Sequence, residues 1–395
     1  METMITVDRA IELIQEHVMP LTAVKMNLNE ANGLVLAKDI IAPMDIPAFP
    51  QSSMDGYAFA YDPNVKLYPL VGMVAAGDNH QFVLEKGKAV RIFTGAPIPE
   101  GADTILMQEK SKIEEGNLIV LQEDLKQGDH FRPIGSEIQK GAIAVSKGTI
   151  LSPAMIGFLA NIGISELFVS PRPMVGILVT GNELQSVGQP LQYGQVYESN
   201  SYTLKAGFNQ LHITEVQLES ASDDLEMLSY KLKGLLANCD IVLMIGGVSV
   251  GDYDFTLKAF EANGVLPIFH KIKQKPGKPL LFGKKGDKLV FGLPGNPASV
   301  LTCFYEYVLP AIGHMMSKEL ALQKLQAPIG HDIIKHSGLR QFMKAFYNGE
   351  NVLIQTGQES YKLGSYAAAN CLAVLPEATT TLSKGNLIEI HLIPN

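Results

Sequence analysis

The sequence predicts a multidomain protein in which an α/β domain with a mostly parallel sheet is joined to two β-rich parts. Three observations carry this. From Val175 to about His314, apolar strand-like runs alternate with helical stretches, the pattern of strands joined by helical crossovers. From about Val24 to Thr149 the chain instead reads as short alternating segments punctuated by Gly, Pro and Asp. After Arg340 the β pattern returns in RQFMKAFY, LAVLPE and LIEIHLI, with Asn348-Gly349 as a hairpin signal.

Taken in order, Val7, Ala10, Ile11, Ile14 and Val18 form a helical stripe that starts after Thr6 and stops at Pro20. KAVRIFTG and ADTILMQE supply strands of a barrel or sandwich. Ser152 and Pro153 start a short helix that ends near Gly163, and the SPRP stretch from Ser170 to Pro173 marks a domain boundary. VGILVTGNEL then reads as a strand, followed by a helix from Ser199 to Leu211, a β segment, a helix from Asp223 to Ala237 and the strand DIVLMI. In LVFGLPGNPASV a strand meets a helix at a tight turn, with Asn296 as N-cap and Pro297 at the first helical position, where its missing N–H costs nothing.

Composition limits the function classes. A length of 395 residues accommodates two to four domains with sizeable cores. With 32 basic against 40 acidic residues the net charge is −8, without the basic footprint of a nucleic-acid binder. The apolar runs fall short of the roughly 18 residues of a membrane span, and the first residues lack a signal pattern, so a cytoplasmic protein is expected. Cys239, Cys303 and Cys371 are odd in number and widely spaced, which predicts buried free thiols instead of disulfides or a CxxC metal site.

Three glycine-proline turns follow apolar runs: GGVSVGDYDF with Gly246, Gly247 and Ser249, KIKQKPGKP, and LPGNP with Pro294, Gly295, Asn296 and Pro297. Turns of this kind at strand ends offer backbone N–H groups and helix dipoles to anions. Lys271, Lys273, Lys275 and Lys278 stand together without an intervening carboxylate, a local anion site in an acidic protein. Two further turns, SSMDGYA with Asp55 and RIFTGAPIPEGAD with Thr94, lie in the β-rich region, and Glu183 sits in TGNEL. Asp-Gly and Pro-Glu-Gly are also ordinary turn chemistry, and Glu183 also suits a helix start.

SSMDGYA, IFTGAPIPEGAD, LVTGNEL, GGVSVGDYD, KPGKP and LPGNPAS occur in the order and spacing of the molybdopterin molybdenumtransferases, so the whole chain resembles the bacterial MoeA proteins and the gephyrin E domain. ESNSYTL, FRPIGSEI and QESYKLGSYAAANCLAVLPE extend the likeness. The resemblance implies an elongated, L-shaped subunit. Its N-terminal region would span 1–170, with helix and linker at 1–45 and 147–170 and an inserted barrel-like β-rich subdomain at about 46–146. A molybdopterin-binding α/β domain at 171–318 and a small C-terminal β domain at 319–395 would follow. It implies a homodimer with the active site shared between subunits, insertion of molybdate into adenylylated molybdopterin with Mg2+ or another divalent ion, release of AMP, and a molybdopterin adenylyltransferase and cofactor carriers as partners.

Carried over by motif, Asp55, Thr94, Glu183, Asp254, Lys275 and Lys278 take catalytic roles. Gly246, Gly247, Ser249, Pro294, Gly295, Asn296, Pro297 and Asp223 bind the pterin substrate, and Asp55, Glu183 and Glu137 serve the metal. The chain departs from the family at Arg132 to Ile138, where Glu137 replaces the usual aspartate on a longer stem. A related adenylyltransferase is the first alternative, but its TGGTG-type loop differs from GGVSVGDYD and leaves the large N-terminal region unexplained. Nicotinamide-nucleotide deamidases rank behind it. A non-catalytic, gephyrin-like scaffold is the alternative of another class, and the retained acidic and lysine residues speak against it.

Overall fold

The structure, a computed structural model, describes residues 1–79, 81–248, 255–336 and 338–394. The chain forms two compact units, Lys25–Val169 and Met1–Val24 together with Ser170–Asn395. Residues 1–24 thus pack with the chain that follows Ser170.

The larger unit is built on a seven-stranded sheet in the order Glu2–Ile5, Leu266–Ile272, Leu281–Lys285, Lys288–Leu293, Ile241–Ile245, Val175–Thr180 and Val216–Ala221. The last four run parallel. Leu281–Lys285 is antiparallel to both its neighbours, because a hairpin instead of a helical crossover links it to Lys288–Leu293. Val175–Thr180 and Ile241–Ile245 are buried along their whole length, as central strands covered on both faces must be. Leu228, Leu232, Leu235 and Leu236 of the helix Leu225–Asn238 pack on Leu178, Val242 and Met244, and Asp224 caps that helix by accepting from the Met227 N–H at 2.8 Å. All three cysteines are free and buried, and burial raises the pKa of each thiol.

The N-terminal helix, Val7–His17, is capped by Thr6 as its sequence predicts. The strand Glu2–Ile5 ahead of it is not legible in four residues, since its pairing partner lies at Leu266–Ile272. At the C-terminal end, Arg340–Tyr347 and Val352–Ile354 form the expected hairpin. Its loop is longer than the two residues that Asn-Gly favours, because Asn348 Oδ1 accepts from both Glu350 and Asn351 N–H groups at 2.9 and 2.8 Å.

In the strand Leu387–Leu392 of the C-terminal sheet, buried His391 bridges two carboxylates, Nδ1 to Glu306 Oε1 at 2.7 Å and Nε2 to Glu389 Oε1 at 2.9 Å. Burial pulls the imidazole pKa down, but the hydrogen bond and charge of Glu306, joined by Glu389 and opposed by Lys324, leave it raised overall. A raised folded value means that the ion pairs stabilise the protein fully below the unfolded pKa of about 6.5 and lose that effect as pH rises through the folded value. Thermal stability is therefore expected to decline from pH 6 towards pH 9, and His391→Gln should flatten that decline. Parallel profiles for the two proteins would contradict the assignment.

The smaller unit carries a six-stranded sheet in the order Ser111–Glu114, Asn117–Val120, Leu67–Val74, Ala89–Ile92, Gly56–Phe59 and Thr104–Met107. Its core gathers Phe59, Tyr68, Val90, Ile92, Ile105, Leu106 and Leu118, with the Phe59 and Tyr68 rings stacked at 4.4 Å. The helix Pro153–Asn161 begins at Ser152, whose hydroxyl accepts from the Met155 N–H, and Gly163 follows with φ +82°. Among the described residues no helix is long and apolar enough to cross a membrane.

Candidate active site

The carboxyl ends of Val175–Thr180, Ile241–Ile245 and Lys288–Leu293 open on a cavity of about 1060 Å³. This is where open α/β sheets place ligands. Its wall collects Glu183, Asp223, Gly246, Gly247, Lys278 and the run Pro294 to Pro297, which the sequence keeps far apart. Thr180 Oγ1 donates to Asp223 Oδ1 at 2.7 Å, fixing that carboxylate beside the strand end. Gly246 N–H donates to the Leu293 carbonyl at 3.1 Å and Thr256 Oγ1 to the Gly246 carbonyl at 3.0 Å, which ties the first glycine turn to the third. Ser249 and Asp254 lie outside the described residues.

The lysine turn is arranged differently from its spacing. Lys278 lines the cavity together with Lys271, whereas Lys275 lies in the short strand Gln274–Lys275, opposite Gln341 and off the cavity wall. The turn is held from below. Gln274 is fully buried, donates through Nε2 to the Pro276 carbonyl at 3.0 Å and accepts from the Tyr307 hydroxyl. Gly277 has φ +91°, and a Cβ there would stand 2.6 Å from Gln274 Nε2 and 2.7 Å from Cys303 Sγ. Gly277→Ala is expected to cost roughly 2–4 kcal/mol from the left-handed backbone and the overlap together. Denaturant unfolding checks this, and an unchanged midpoint would contradict it.

At the third turn, Pro297–Cys303 begins a helix that continues through a π-helical turn, Phe304–Val308, into Leu309–Met315. The side chain of Asn296 does not cap it. Its Nδ2 donates to Ser360 Oγ at 2.8 Å, and the Ala298 N–H donates to the Ser360 carbonyl at 3.0 Å. A tertiary contact has replaced the local cap, so the helix dipole rather than the Ala298 N–H supplies positive character here. Met4, Tyr197, Ser199, Asn200 and Tyr361 also line the cavity and were not anticipated as site residues. ESNSYTL and QESYKLG hold three of these, Ser199, Asn200 and Tyr361, but no turn signal in them marks a site. Asn200 Nδ2 donates to the Gly295 carbonyl at 2.9 Å, and its Oδ1 is buried without a hydrogen-bond partner among the described residues.

Two cations, Lys271 and Lys278, and two carboxylates, Glu183 and Asp223, therefore line one cavity. That set suits a phosphate-bearing substrate together with a hard cation. Mg2+ is commonly held by one or two carboxylates, with water and substrate phosphates completing its shell. Among the described residues no group of three or more His, Cys, Asp and Glu gathers into a metal site.

In the unit Lys25–Val169, Asp55 and Thr94 meet. The Thr94 N–H and hydroxyl donate to Asp55 Oδ1 at 2.8 and 2.7 Å. These two bonds, the backbone one foremost, hold the Asp55 carboxyl below the usual carboxylate range, with Arg91 adding to them. Glu137 stands elsewhere, with Oε2 accepting from Asn161 Nδ2 at 3.3 Å.

The family descriptions that match are "MoeA N-terminal region (domain I and II)" over residues 5–163, "Probable molybdopterin binding domain" over 176–314 and "MoeA C-terminal region (domain IV)" over 326–393. A Haemophilus influenzae protein named molybdopterin molybdenumtransferase is 34% identical over 398 residues, covering 98% of each chain. One of the same name from Nostoc is 33% identical over 390 residues, covering 93% of this chain and 88% of the other. Two solved structures of the molybdopterin biosynthesis moeA protein from Pyrococcus horikoshii superpose with TM-scores of 0.83 and 0.78 at 28% and 29% identity, each covering 99% of this chain and 100% of that one.

Proposed function

Because this chain belongs to the MoeA family of molybdopterin molybdenumtransferases, enzymes of molybdenum cofactor biosynthesis, we propose that it inserts molybdate into adenylylated molybdopterin and releases AMP. The observation that carries this reading is the single cavity that gathers the TGNEL, glycine-loop, KPGKP and LPGNP motifs at the ends of the parallel strands. In this reading residues 171–318 form the pterin-binding domain, between an N-terminal region to 170 and a C-terminal domain from 319.

The substrate carries a pyrophosphate and molybdate is an oxyanion, so the site must offset several negative charges. Lys271 and Lys278 do so within the cavity, and exposed Lys275 adds its charge from the adjoining strand. Pro294, Gly295, Asn296 and Pro297, with Gly246 and Gly247, shape the wall that receives the pterin and its phosphate, and Asn200 Oδ1 offers an acceptor to a substrate N–H or hydroxyl. Glu183 and Asp223 would hold a divalent ion, which when bound supplies charge neutralisation on the phosphate oxygens. Glu137, from the N-terminal region, would be a further carboxylate for the metal, and Asp254 and Thr94 would take catalytic roles. Asp55, kept ionised by Thr94, would serve the divalent ion with Glu183 and orient the water oxygen that attacks the pyrophosphate, splitting it into AMP and the pterin's phosphate. The active site would be shared between the subunits of a homodimer, with an adenylyltransferase supplying the substrate and carrier proteins accepting the product.

The dithiolene sulfurs suit molybdenum better than protein oxygens, so the cofactor's sulfurs become its final ligands and the buried cysteines take no part. Two substrate mixtures test the assignment. The protein is expected to release AMP from adenylylated molybdopterin with molybdate and Mg2+, and to release no pyrophosphate from ATP and molybdopterin. The reverse result would assign it to the adenylylation step.

A further inference from the structure

The cavity wall includes two residues held in the left-handed backbone conformation that only glycine adopts at no cost. Met4 has φ +53° and Lys271 has φ +71°. They belong to neighbouring strands. Glu2–Ile5 runs parallel to Leu266–Ile272, with Glu2 opposite Phe269, Thr3 opposite His270 and Ile5 opposite Ile272. The register thus places Met4 beside Lys271, at the one step between those pairs where the ladder is interrupted, and both residues line the cavity.

Such outliers carry a backbone cost and persist only where the surroundings over-determine them. The surroundings here are hydrogen bonds on every side. Lys271 N–H donates to the Leu280 carbonyl at 2.9 Å, Ile272 N–H to the Lys278 carbonyl at 2.8 Å, and Lys273 N–H to the Ile5 carbonyl at 2.8 Å. The N-terminal strand is therefore the outer brace of the segment that carries Lys271 and, through Ile272, of the turn that carries Lys278.

We propose that the N-terminal strand Glu2–Ile5 is a positioning element of the anion site, whose pairing with Leu266–Ile272 holds Lys271 in its left-handed conformation on the cavity wall and so sets affinity for a pyrophosphate-bearing substrate. This rests on the functional reading above. It assigns no chemistry to Met4 itself: the strand acts through Lys271, and the conformation at residue 4 matters more than its side chain.

Three variants separate these contributions. Met4→Pro forbids a positive φ, Met4→Gly permits it without the side chain, and deletion of residues 2–4 removes the brace while leaving Thr6 to cap the following helix. Binding of inorganic pyrophosphate, read by calorimetry, reports on the site without requiring turnover. Met4→Pro and the deletion are expected to weaken it roughly tenfold, the effect of losing a charge-assisted contact, while Met4→Gly stays within about twofold of the parent. In a Lys271→Met background the deletion should cost clearly less than in the parent, because the part of its effect that runs through Lys271 is already lost. In turnover the deletion should raise KM with little change in kcat. Unchanged pyrophosphate affinity in the deletion, or an equal further loss on top of Lys271→Met, would overturn the proposal. A parent protein that binds pyrophosphate with this dependence but lacks molybdate-dependent turnover would sink the transferase reading and leave the brace standing.

Discussion

Asp55→Ala is expected to lower molybdate-dependent turnover by at least roughly a hundredfold, the scale on which a positioned acid–base group contributes, while leaving the fold as stable as the parent. Asp55 is exposed, and its side chain is held by Thr94, 39 residues away in sequence. Asp55→Asn refines the result, since the amide oxygen still accepts from Thr94 but the charge is gone. If the role is electrostatic, Asn should fail nearly as badly as Ala. Turnover within a few-fold of the parent in both variants would remove Asp55 from the mechanism, and an identical loss in melting temperature would make its role structural.

The next residue behaves in the opposite way. Gly56→Ala is expected to cost about 3 kcal/mol or more and to drop the melting temperature by several degrees. Gly56 is buried between two strands, paired with Ile92 on one side and Met107 on the other. A Cβ there would lie 2.0 Å from the Leu106 carbonyl oxygen and 2.9 Å from its carbon. Those atoms are backbone, so no side-chain rotation relieves the overlap, and the ladder to Thr104–Met107 must open. Asp55 would then lose its place because the Gln108 N–H, which donates to the Asp55 carbonyl at 3.1 Å, moves with that strand. Urea unfolding of Gly56→Ala with the parent midpoint would show that the sheet accommodates the methyl group.

These neighbouring residues show what the sequence reveals and what it withholds. Asp-Gly in SSMDGYA reads as turn chemistry, yet its glycine is required inside a ladder and its aspartate is aimed at Thr94, a pairing no local pattern announces. Helix starts were legible where the cap is local, at Thr6 and Ser152, whereas the helix read from Asp223 starts one residue later than expected, with Asp224 as its cap. At Asn296 the expected side-chain cap fails because Ser360 arrives from another part of the chain. The central strands were legible because burial on both faces leaves continuous apolar runs, but the hairpin between Leu281 and Leu293 within an otherwise parallel sheet was not. Among the lysines, spacing grouped Lys271, Lys273, Lys275 and Lys278 and the family motif singled out Lys275 and Lys278; Lys271 and Lys278 line the cavity, and Lys275 lies in the strand Gln274–Lys275. The N-terminal strand escaped notice for the same reason: its signal is its partner.

The most direct test of the transferase assignment supplies the purified protein with adenylylated molybdopterin and Mg2+, with and without molybdate, and follows AMP release together with the appearance of active molybdenum cofactor. Both products should form together and only when molybdate is present. Tight binding of the adenylylated pterin with neither product, or AMP release indifferent to molybdate, would contradict it.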